Sequence, residues 1–263
     1  MKKIINEINN YTPVTLEKIN EWKLLKRFDT KFTFEKNKLA PLLKVLSPYY
    51  NILEINNERV FQYETLYYDT DDLSFYHHHH NKKLSRFKIR FREYTNTGLC
   101  FFEIKSKSNT GKTVKIRKKT DKIMSELSKN LNNYIDKNIP DELNIKSKDI
   151  SPSLWTIFTR ITLVNKVDKE RLTIDLNLNF KNCKSNKKNS MKALDNLIIV
   201  ELKQGRLSLE SPFFKAIREK GIQPSSFSKY SIGTAMLNTK IKRNRFKKKL
   251  IAIDKINKGG VYA

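Results

Sequence analysis

The sequence predicts an α+β protein built on an antiparallel sheet of about eight strands, a number that can close into a small barrel. Residues 86–105, RFKIRFREYTNTGLCFFEIK, alternate with a period of two. Charged side chains therefore share one face, and Phe87, Ile89 and Phe91 share the other. Asn96-Thr97-Gly98 supplies a turn, because Asn and Gly tolerate positive φ. Segments with helical spacing separate the strands, as in α+β folds.

The other elements follow from the same two periodicities. Apart from the hairpin at 86–107, strands are predicted within 21–35, 60–70, 113–119, 155–166, 171–180 and 196–203. Helices are predicted at 36–48, 121–137 and 211–220, and residues 226–237 are expected to end the ordered part. The connection after residue 70 contains Asp71, Asp72 and His77 to His80, which we expect to form turns and a solvated loop rather than a metal site.

Composition and charge limit the classes of function. The chain has 263 residues and a formal net charge of +26, with 53 Lys and Arg against 27 Asp and Glu. This excess predicts a polyanionic partner: nucleic acid, an anionic membrane surface or a phosphate-rich substrate. Apolar residues make up 38%, which argues against a disordered chain. The two cysteines lack CxxC spacing, so neither a disulfide framework nor a zinc site is expected.

The sequence predicts one domain at residues 20–238, after a lead-in at 1–19 and before a basic C-terminal tail at 239–263. No apolar segment near the N-terminus is typical of a signal peptide, and no window reaches the roughly 18 apolar residues of a membrane span. We therefore expect a cytoplasmic protein. Contact with the inner face of the membrane would need a membrane partner protein or the basic tail.

Charged residues keep strand phase through most of the chain. They are Arg27, Asp29, Lys31, Lys88, Arg90, Arg92, Glu103, Lys105, Lys115, Arg117, Arg160, Arg171, Asp175, Glu201 and Lys203. For any single strand, the solvated face of an ordinary sheet explains the pattern. Its recurrence, its arginines and its few acids favour an enclosed phosphate and metal site. Like charges ~4 Å apart repel by about 4 kcal/mol, so we expect such a lumen to require an anionic ligand.

Eight short motifs stand in a recognisable order. They are Arg27-x-Asp29-x-Lys31, Tyr68-Asp69-Thr70, Lys88-x-Arg90-x-Arg92, Glu103-x-Lys105, the Arg160 strand, Arg171-x-Thr173-x-Asp175, Glu201-x-Lys203 and Ser228-Lys229-Tyr230. In this order they resemble the VTC domain, the polyphosphate polymerase domain of the vacuolar transporter chaperone complex and its bacterial stand-alone relatives. That domain belongs to the triphosphate tunnel metalloenzymes, and the resemblance covers about residues 20–238.

The resemblance implies an antiparallel β-barrel that forms a triphosphate tunnel, with helices packed outside. It implies transfer of the ATP γ-phosphate to a growing inorganic polyphosphate or pyrophosphate acceptor, with Mn²⁺ or Mg²⁺ as cofactor. By position, the catalytic residues would be Lys31, Arg90, Arg92, Lys105, Arg160, Arg171 and Lys203. Further phosphate or substrate contacts would be Arg27, Lys88, Lys115, Arg117, Ser228, Lys229 and Tyr230. The metal ligand would be Glu201, with Glu103 as a second candidate.

Two positions depart from this family pattern, and two alternatives stay open. Asp29 stands where relatives tend to have Glu, and Phe158 where a Tyr is common. A tunnel-fold inorganic or nucleoside triphosphatase would use the same residues with water as the attacking group. A non-catalytic binder of polyphosphate or RNA would not need Glu103 and Glu201 among its cations, so we expect no nucleic-acid partner.

Overall fold

The computed structural model describes residues 1–21, 27–110, 113–184 and 190–259. Residues 22–26 of the first predicted strand segment, and the last four residues of the predicted tail, lie outside the described residues. The strands are β1 (Pro13–Val14), β2 (Phe28–Glu35), β3 (Tyr50–Leu53), β4 (Phe61–Thr70), β5 (Arg86–Tyr94), β6 (Leu99–Lys107), β7 (Thr113–Thr120), β8 (Ile150–Asn165), β9 (Glu170–Asn182), β10 (Met191–Leu194), β11 (Leu197–Gln204) and β12 (Pro224–Ser225). The helices are α1 (Lys2–Asn9), α2 (Leu16–Glu21), α3 (Leu39–Leu46), α4 (Ser74–His80), α5 (Lys129–Asn138), α6 (Pro212–Glu219), α7 (Lys229–Leu237) and α8 (Lys247–Asn257).

The strands form one large sheet, and the α+β class is confirmed. Its hydrogen-bonded order is β12-β2-β11-β9-β8-β4-β5-β6-β7, with every neighbouring pair antiparallel. The short strands β1, β3 and β10 add to this path, and β1 pairs with β3 in parallel. Within the described residues no ladder joins β7 to β12, so hydrogen bonds do not close the sheet.

The sheet nevertheless curls until its two ends face each other. Lys88 Nζ on β5 donates to Ser228 Oγ beside β12, at 3.1 Å. Asp29 and Lys31 of β2 line the same cavity as Lys105 of β6. The side of the sheet that faces this cavity is called the inner face below, and it carries the charged residues that keep strand phase.

A bulge divides the inner face into a polar end and an apolar end. Asn177 of β9 has a φ of 51°, opposite a register shift between Ile157 and Thr159 of β8. An extra residue in one strand reverses which side chains point inward. Asp175 points inward before the bulge, and Phe180 points inward after it.

Helix α7 packs on the apolar end of the inner face, which differs from the expected arrangement of helices outside the sheet. This close approach requires a glycine at position 233, because a Cβ there would lie 2.6 Å from Phe180 Cδ1 and 2.8 Å from Leu154 Cδ2. Ser228 caps the helix by accepting a hydrogen bond from the Ser231 N–H at 3.2 Å. The start of α7 therefore faces the polar end.

Other helices cover the outer face, as expected. Helices α1, α3 and α6 pack with Phe32 and Val200 in one buried cluster. Helix α5 covers the hairpin, where Leu131 joins the cluster of Phe87, Ile89 and Phe91. The sequence predicts that these three side chains share the apolar face of the hairpin, and this is confirmed.

Two segments are more ordered than the sequence predicts. The histidine segment forms α4 instead of a loop, because the buried Asp69 carboxylate accepts the N–H groups of Phe75 and Tyr76 at 2.9 and 3.0 Å. The basic tail contains α8, whose Ile253 is buried beside the partly buried Leu250 and Ile256. Within the described ranges, no helix has the length and apolar character needed to cross a bilayer.

Candidate active site

The polar end of the inner face brings most of the predicted site residues together. It carries Lys31 of β2, Lys88, Arg90 and Arg92 of β5, Glu103 and Lys105 of β6, Lys115 and Arg117 of β7, Arg160 of β8, Arg171 of β9, Glu201 and Lys203 of β11, and Ser228 and Lys229 at the start of α7. Strand alternation turns these side chains inward, and the curl of the sheet sets them against one another.

The first ion cluster on this face is centred on Asp175. Arg160 donates two hydrogen bonds to this carboxylate, from Nε to Oδ1 at 2.6 Å and from Nη2 to Oδ2 at 2.9 Å, and Lys229 Nζ is a second ion-pair partner. Only 4% of the Asp175 side chain is exposed. Burial alone would raise the pKa of Asp175, but Arg160 and Lys229 lower it to about 2.

The second cluster is centred on Glu103. Arg90 donates to Oε2 from Nε at 2.8 Å and from Nη2 at 2.6 Å, and Lys115 Nζ lies 3.2 Å from Oε1. Burial opposes ionisation of this carboxyl group, but Arg90, Arg92 and Lys115 outweigh it and lower the pKa of Glu103 to about 2. Glu103 therefore carries a negative charge at neutral pH.

The third cluster places Glu201 between Lys31 and Lys203. Burial would raise the pKa of Glu201, but these two lysines hold it well below its usual range. The three clusters share one design, a carboxylate between two cations. We expected the cationic lumen to require an anionic ligand, but the structure shows that resident carboxylates already neutralise part of the repulsion.

Other inner cations have no carboxylate partner among the described residues. Arg171 Nε is buried without a hydrogen-bond acceptor. Arg92 Nε reaches only Thr65 Oγ1, at 3.4 Å, and Lys105 forms no ion pair. A buried donor without an acceptor is costly, so Arg171 Nε on this face indicates an anionic ligand.

Lys105, one of these cations, borders a cavity of about 530 Å³. Lys31, Lys88 and Lys105 line it, together with Asp29 and Ser228. The lining is strongly cationic, and the cavity has room for several linked phosphate groups. Such a lining binds polyanions through charge-assisted hydrogen bonds.

Three predicted residues lie differently from the rest. Arg27 is 41% exposed and pairs with Asp29 at 2.9 Å, so it lies at the edge of the site. The Arg117 guanidinium lies 4.7 Å from the Phe101 ring centroid, in a cation–π contact. Tyr230 does not reach the cavity, because its buried hydroxyl donates to Asp69 instead of a substrate.

Sequence reasoning missed the aromatic residues that support the arginines. The Tyr67 hydroxyl accepts a hydrogen bond from Arg90 Nη1 at 3.2 Å, and the Tyr63 ring lies 4.8 Å from the Arg160 guanidinium. Phe158, noted for its missing hydroxyl, lies 4.3 Å from Lys229 Nζ. Residues 63 and 67 are four apart in strand β4, so strand alternation predicts that they share a face. Neither residue is charged, so the sequence did not indicate that this face is the inner one.

The two candidate metal ligands differ in access. Cations engage both oxygens of each carboxylate, but the Glu103 side chain is only 2% exposed, whereas the Glu201 side chain is 21% exposed. Across the described ranges, no group of three or more His, Cys, Asp and Glu side chains is placed to hold a metal. Glu201 therefore fits a divalent ion that takes its other ligands from phosphate oxygens and water, as Mg²⁺ commonly does.

Lys88 makes the stability of the fold depend on pH. Its half-buried position, with Lys105, Arg90 and Lys31 nearby, lowers the pKa of Lys88 to about 7 from an ordinary 10.5. Between these values the unfolded chain binds more protons than the folded one, so this group makes stability rise with pH. We expect urea denaturation to show a steeper rise from pH 7 to 10 in the wild type than in Lys88→Met. Parallel curves for the two proteins would contradict this assignment.

The sequence of this chain matches a known family, and its fold is similar to that of known proteins. A family model described as the VTC domain matches residues 26–238, most of the chain. No curated protein matches the sequence. Among solved structures, a Hippeastrum protein described as a candidate adenylyl cyclase with a dominant triphosphatase activity is 14% identical, with a TM-score of 0.47 over 80% of this chain and 96% of that chain. A candidate adenylate cyclase from Vibrio parahaemolyticus is 9% identical, with a TM-score of 0.41 over 76% and 94%.

Proposed function

This chain belongs to the VTC domain family, and from that premise we propose that it is an ATP-dependent polyphosphate polymerase. The reaction transfers the γ-phosphate of ATP to the end of an inorganic polyphosphate chain, with pyrophosphate as a short acceptor. The observation that carries the proposal is the inner face itself. Arg92, Lys105 and Arg171, which have no carboxylate partner among the described residues, stand among cations that carboxylates hold in place.

The proposed mechanism depends on positioning and charge. Phosphoryl transfer needs alignment and neutralisation more than a covalent catalyst. The terminal oxygen of the chain forms a bond to the γ-phosphorus while the bond from that phosphorus to the β,γ-bridging oxygen breaks, and ADP leaves. The acceptor oxygen is already anionic, so the reaction needs no strong base.

The cations would divide this work by their contacts. The arginines Arg90 and Arg160 are held rigidly by Glu103 and Asp175, so each presents a fixed guanidinium to a phosphate. Arg171 would gain the missing acceptor of its Nε from a phosphate oxygen, and Arg92, whose Nε reaches only Thr65, would gain a charged acceptor in the same way. Lys31 and Lys203 flank Glu201, the residue that would hold Mn²⁺ or Mg²⁺. Such an ion supplies neutralisation of phosphate oxygens when it is bound.

The acids favour an enzyme over a passive binder. A binding surface for polyphosphate gains nothing from Glu201, which repels phosphate and remains partly exposed on the inner face. A metal-assisted transferase uses such a carboxylate. We propose that the enzyme acts in the cytoplasm, and that any contact with the membrane runs through a partner protein.

Incubation with ATP, pyrophosphate and Mn²⁺ or Mg²⁺, followed by separation of the products, tests this function. We expect ADP together with phosphate chains that lengthen over time. ADP with free phosphate would instead identify a triphosphatase, and absence of turnover with retained tripolyphosphate binding would identify a passive binder. The double variant Arg92→Met/Arg171→Met removes two unpartnered cations and controls for contaminating enzymes.

A further inference from the structure

His79, on α4, is an unassigned residue of the same cavity. Its ring lines the cavity with Lys88, and it hydrogen-bonds to the backbone of Phe87. The buried Nε2 has no hydrogen-bond partner in the part of the chain that the structure describes. Since Nε2 has no partner, Nδ1 is the ring nitrogen left to donate the hydrogen bond to the Phe87 backbone, and the neutral ring then leaves Nε2 as a bare acceptor.

The surroundings of His79 are almost entirely cationic. From β5 it faces Arg86 and Lys88, and from its own helix His78. On the elements packed against α4, Asp69 of β4 caps the helix and accepts from Tyr230, and Lys229 of α7 pairs with Asp175. The remaining charged residues of these elements are Glu64 of β4 and Arg90, Arg92 and Glu93 of β5. Lys82, Lys107 and Lys249 line the cavity beside His79, and none of them forms an ion pair within the described ranges.

This arrangement keeps the ring neutral while the cavity is empty. Burial lowers the pKa of His79 to about 2, and Lys88 and Arg86 act in the same direction. A phosphate chain in the cavity would neutralise these cations and place oxygens within reach of Nε2. Phosphate oxygens are acceptors too, so contact with Nε2 requires a proton between the two atoms.

We propose that His79 is a phosphate-binding residue, which holds the bound chain through one proton shared between its Nε2 and a phosphate oxygen. The proton comes from solvent, so no other group is consumed. Binding of the chain is thereby coupled to the uptake of one proton. The inference rests on the proposed function only for its ligand class, a phosphate chain.

His78 provides a matched control. It neighbours His79 on the same helix, and its Nδ1 is also buried without a partner, but it does not line the cavity. A buried imidazole alone therefore predicts equal behaviour for the two residues. The proposal predicts that only His79 responds to a phosphate chain.

Nitrogen NMR of the histidine rings tests the proposal on the wild-type protein. At pH 6 Lys88, with a pKa of about 7, is already protonated, so it contributes little to proton uptake. Saturating tripolyphosphate should move the His79 Nε2 resonance toward the protonated position and leave the His78 ring unchanged. An unchanged His79 resonance at saturation would overturn the proposal.

Calorimetry with variants gives a second readout. His79→Gln offers a permanent amide donor, so its affinity for tripolyphosphate should lose the one-proton dependence. From pH 6 to pH 8, wild-type affinity should fall relative to His79→Gln by up to about tenfold per pH unit, while His78→Gln should follow the wild type. Equal pH profiles for wild type and His79→Gln would contradict the shared proton.

These results separate the inference from the proposed function. Tripolyphosphate binding with protonation of His79, but without chain growth from ATP, would support the inference and reject the polymerase. Chain growth from ATP with an unchanged His79 resonance would support the polymerase and reject the inference. If tripolyphosphate does not bind, both fail.

Discussion

Replacement of Glu201 by Gln should reduce ATP turnover at least about a hundredfold, the scale of effect seen when one preorganised charge-stabilising group is lost from an active site. The amide keeps the shape of the carboxylate, which lies between Lys31 and Lys203, but loses the negative charge with which Glu201 would bind a divalent ion. Tripolyphosphate binding should survive, because the substitution removes a negative charge from the inner face. ADP release and calorimetry would measure the two effects separately.

Asp29→Asn is the matched control for this substitution. Asp29 lines the cavity beside Lys31, but it pairs with the exposed Arg27 at the edge of the site. We expect a loss of turnover of less than about fivefold, because surface ion pairs contribute little. If Glu201→Gln turned over at the wild-type rate, Glu201 would have no role in metal binding.

Replacement of Asp175 by Asn should lower the free energy of unfolding by about 3–5 kcal/mol, as expected when one partner of a buried ion pair is removed. Arg160 and Lys229, 14% exposed each, would then be left without a counterion. Saturating tripolyphosphate should recover part of this loss, because phosphate would supply the missing negative charge. Urea denaturation with and without tripolyphosphate measures both effects.

The exposed Asp141 offers a comparison for this second variant. Asp141 forms an exposed ion pair with Lys146, and neither residue lies on an inner-face strand. Asp141→Asn should therefore leave the free energy of unfolding, and its dependence on tripolyphosphate, unchanged. If Asp175→Asn were as stable as the wild type, or gained nothing more from tripolyphosphate than the wild type does, the cluster would not be a phosphate-responsive site.

The alternation of the sequence predicted the long strands and the face that carries the cations. Residues 171–180, for example, fall inside β9, and Arg171 and Asp175 point inward as their spacing requires. Strand periodicity is local, so the sequence of each strand shows which of its residues share a face. The net charge and the repeated Arg and Lys positions then indicate a polyanion.

The contacts between strands could not be predicted in this way. The bulge at Asn177 reverses which residues of β9 point inward, and no residue pattern near Asn177 predicts this change. The position of α7 on the inner face depends on the fit of Gly233 against Phe180. The helical state of the histidine segment depends on the carboxylate of Asp69, which its own sequence neighbourhood presented as a turn former.

The carboxylates between paired cations have a consequence for release as well as for binding. A lysine that already holds Glu103, Asp175 or Glu201 would exchange that partner for an incoming phosphate, so the gain would be a difference between two contacts. When the phosphate departs, the carboxylate takes its place again and no bare charge is exposed. Uniformly tight binding would hold a product in place without speeding its formation. Exchange of partners would keep the affinity for phosphate moderate, so that a bound phosphate can leave and clear the site for the next one.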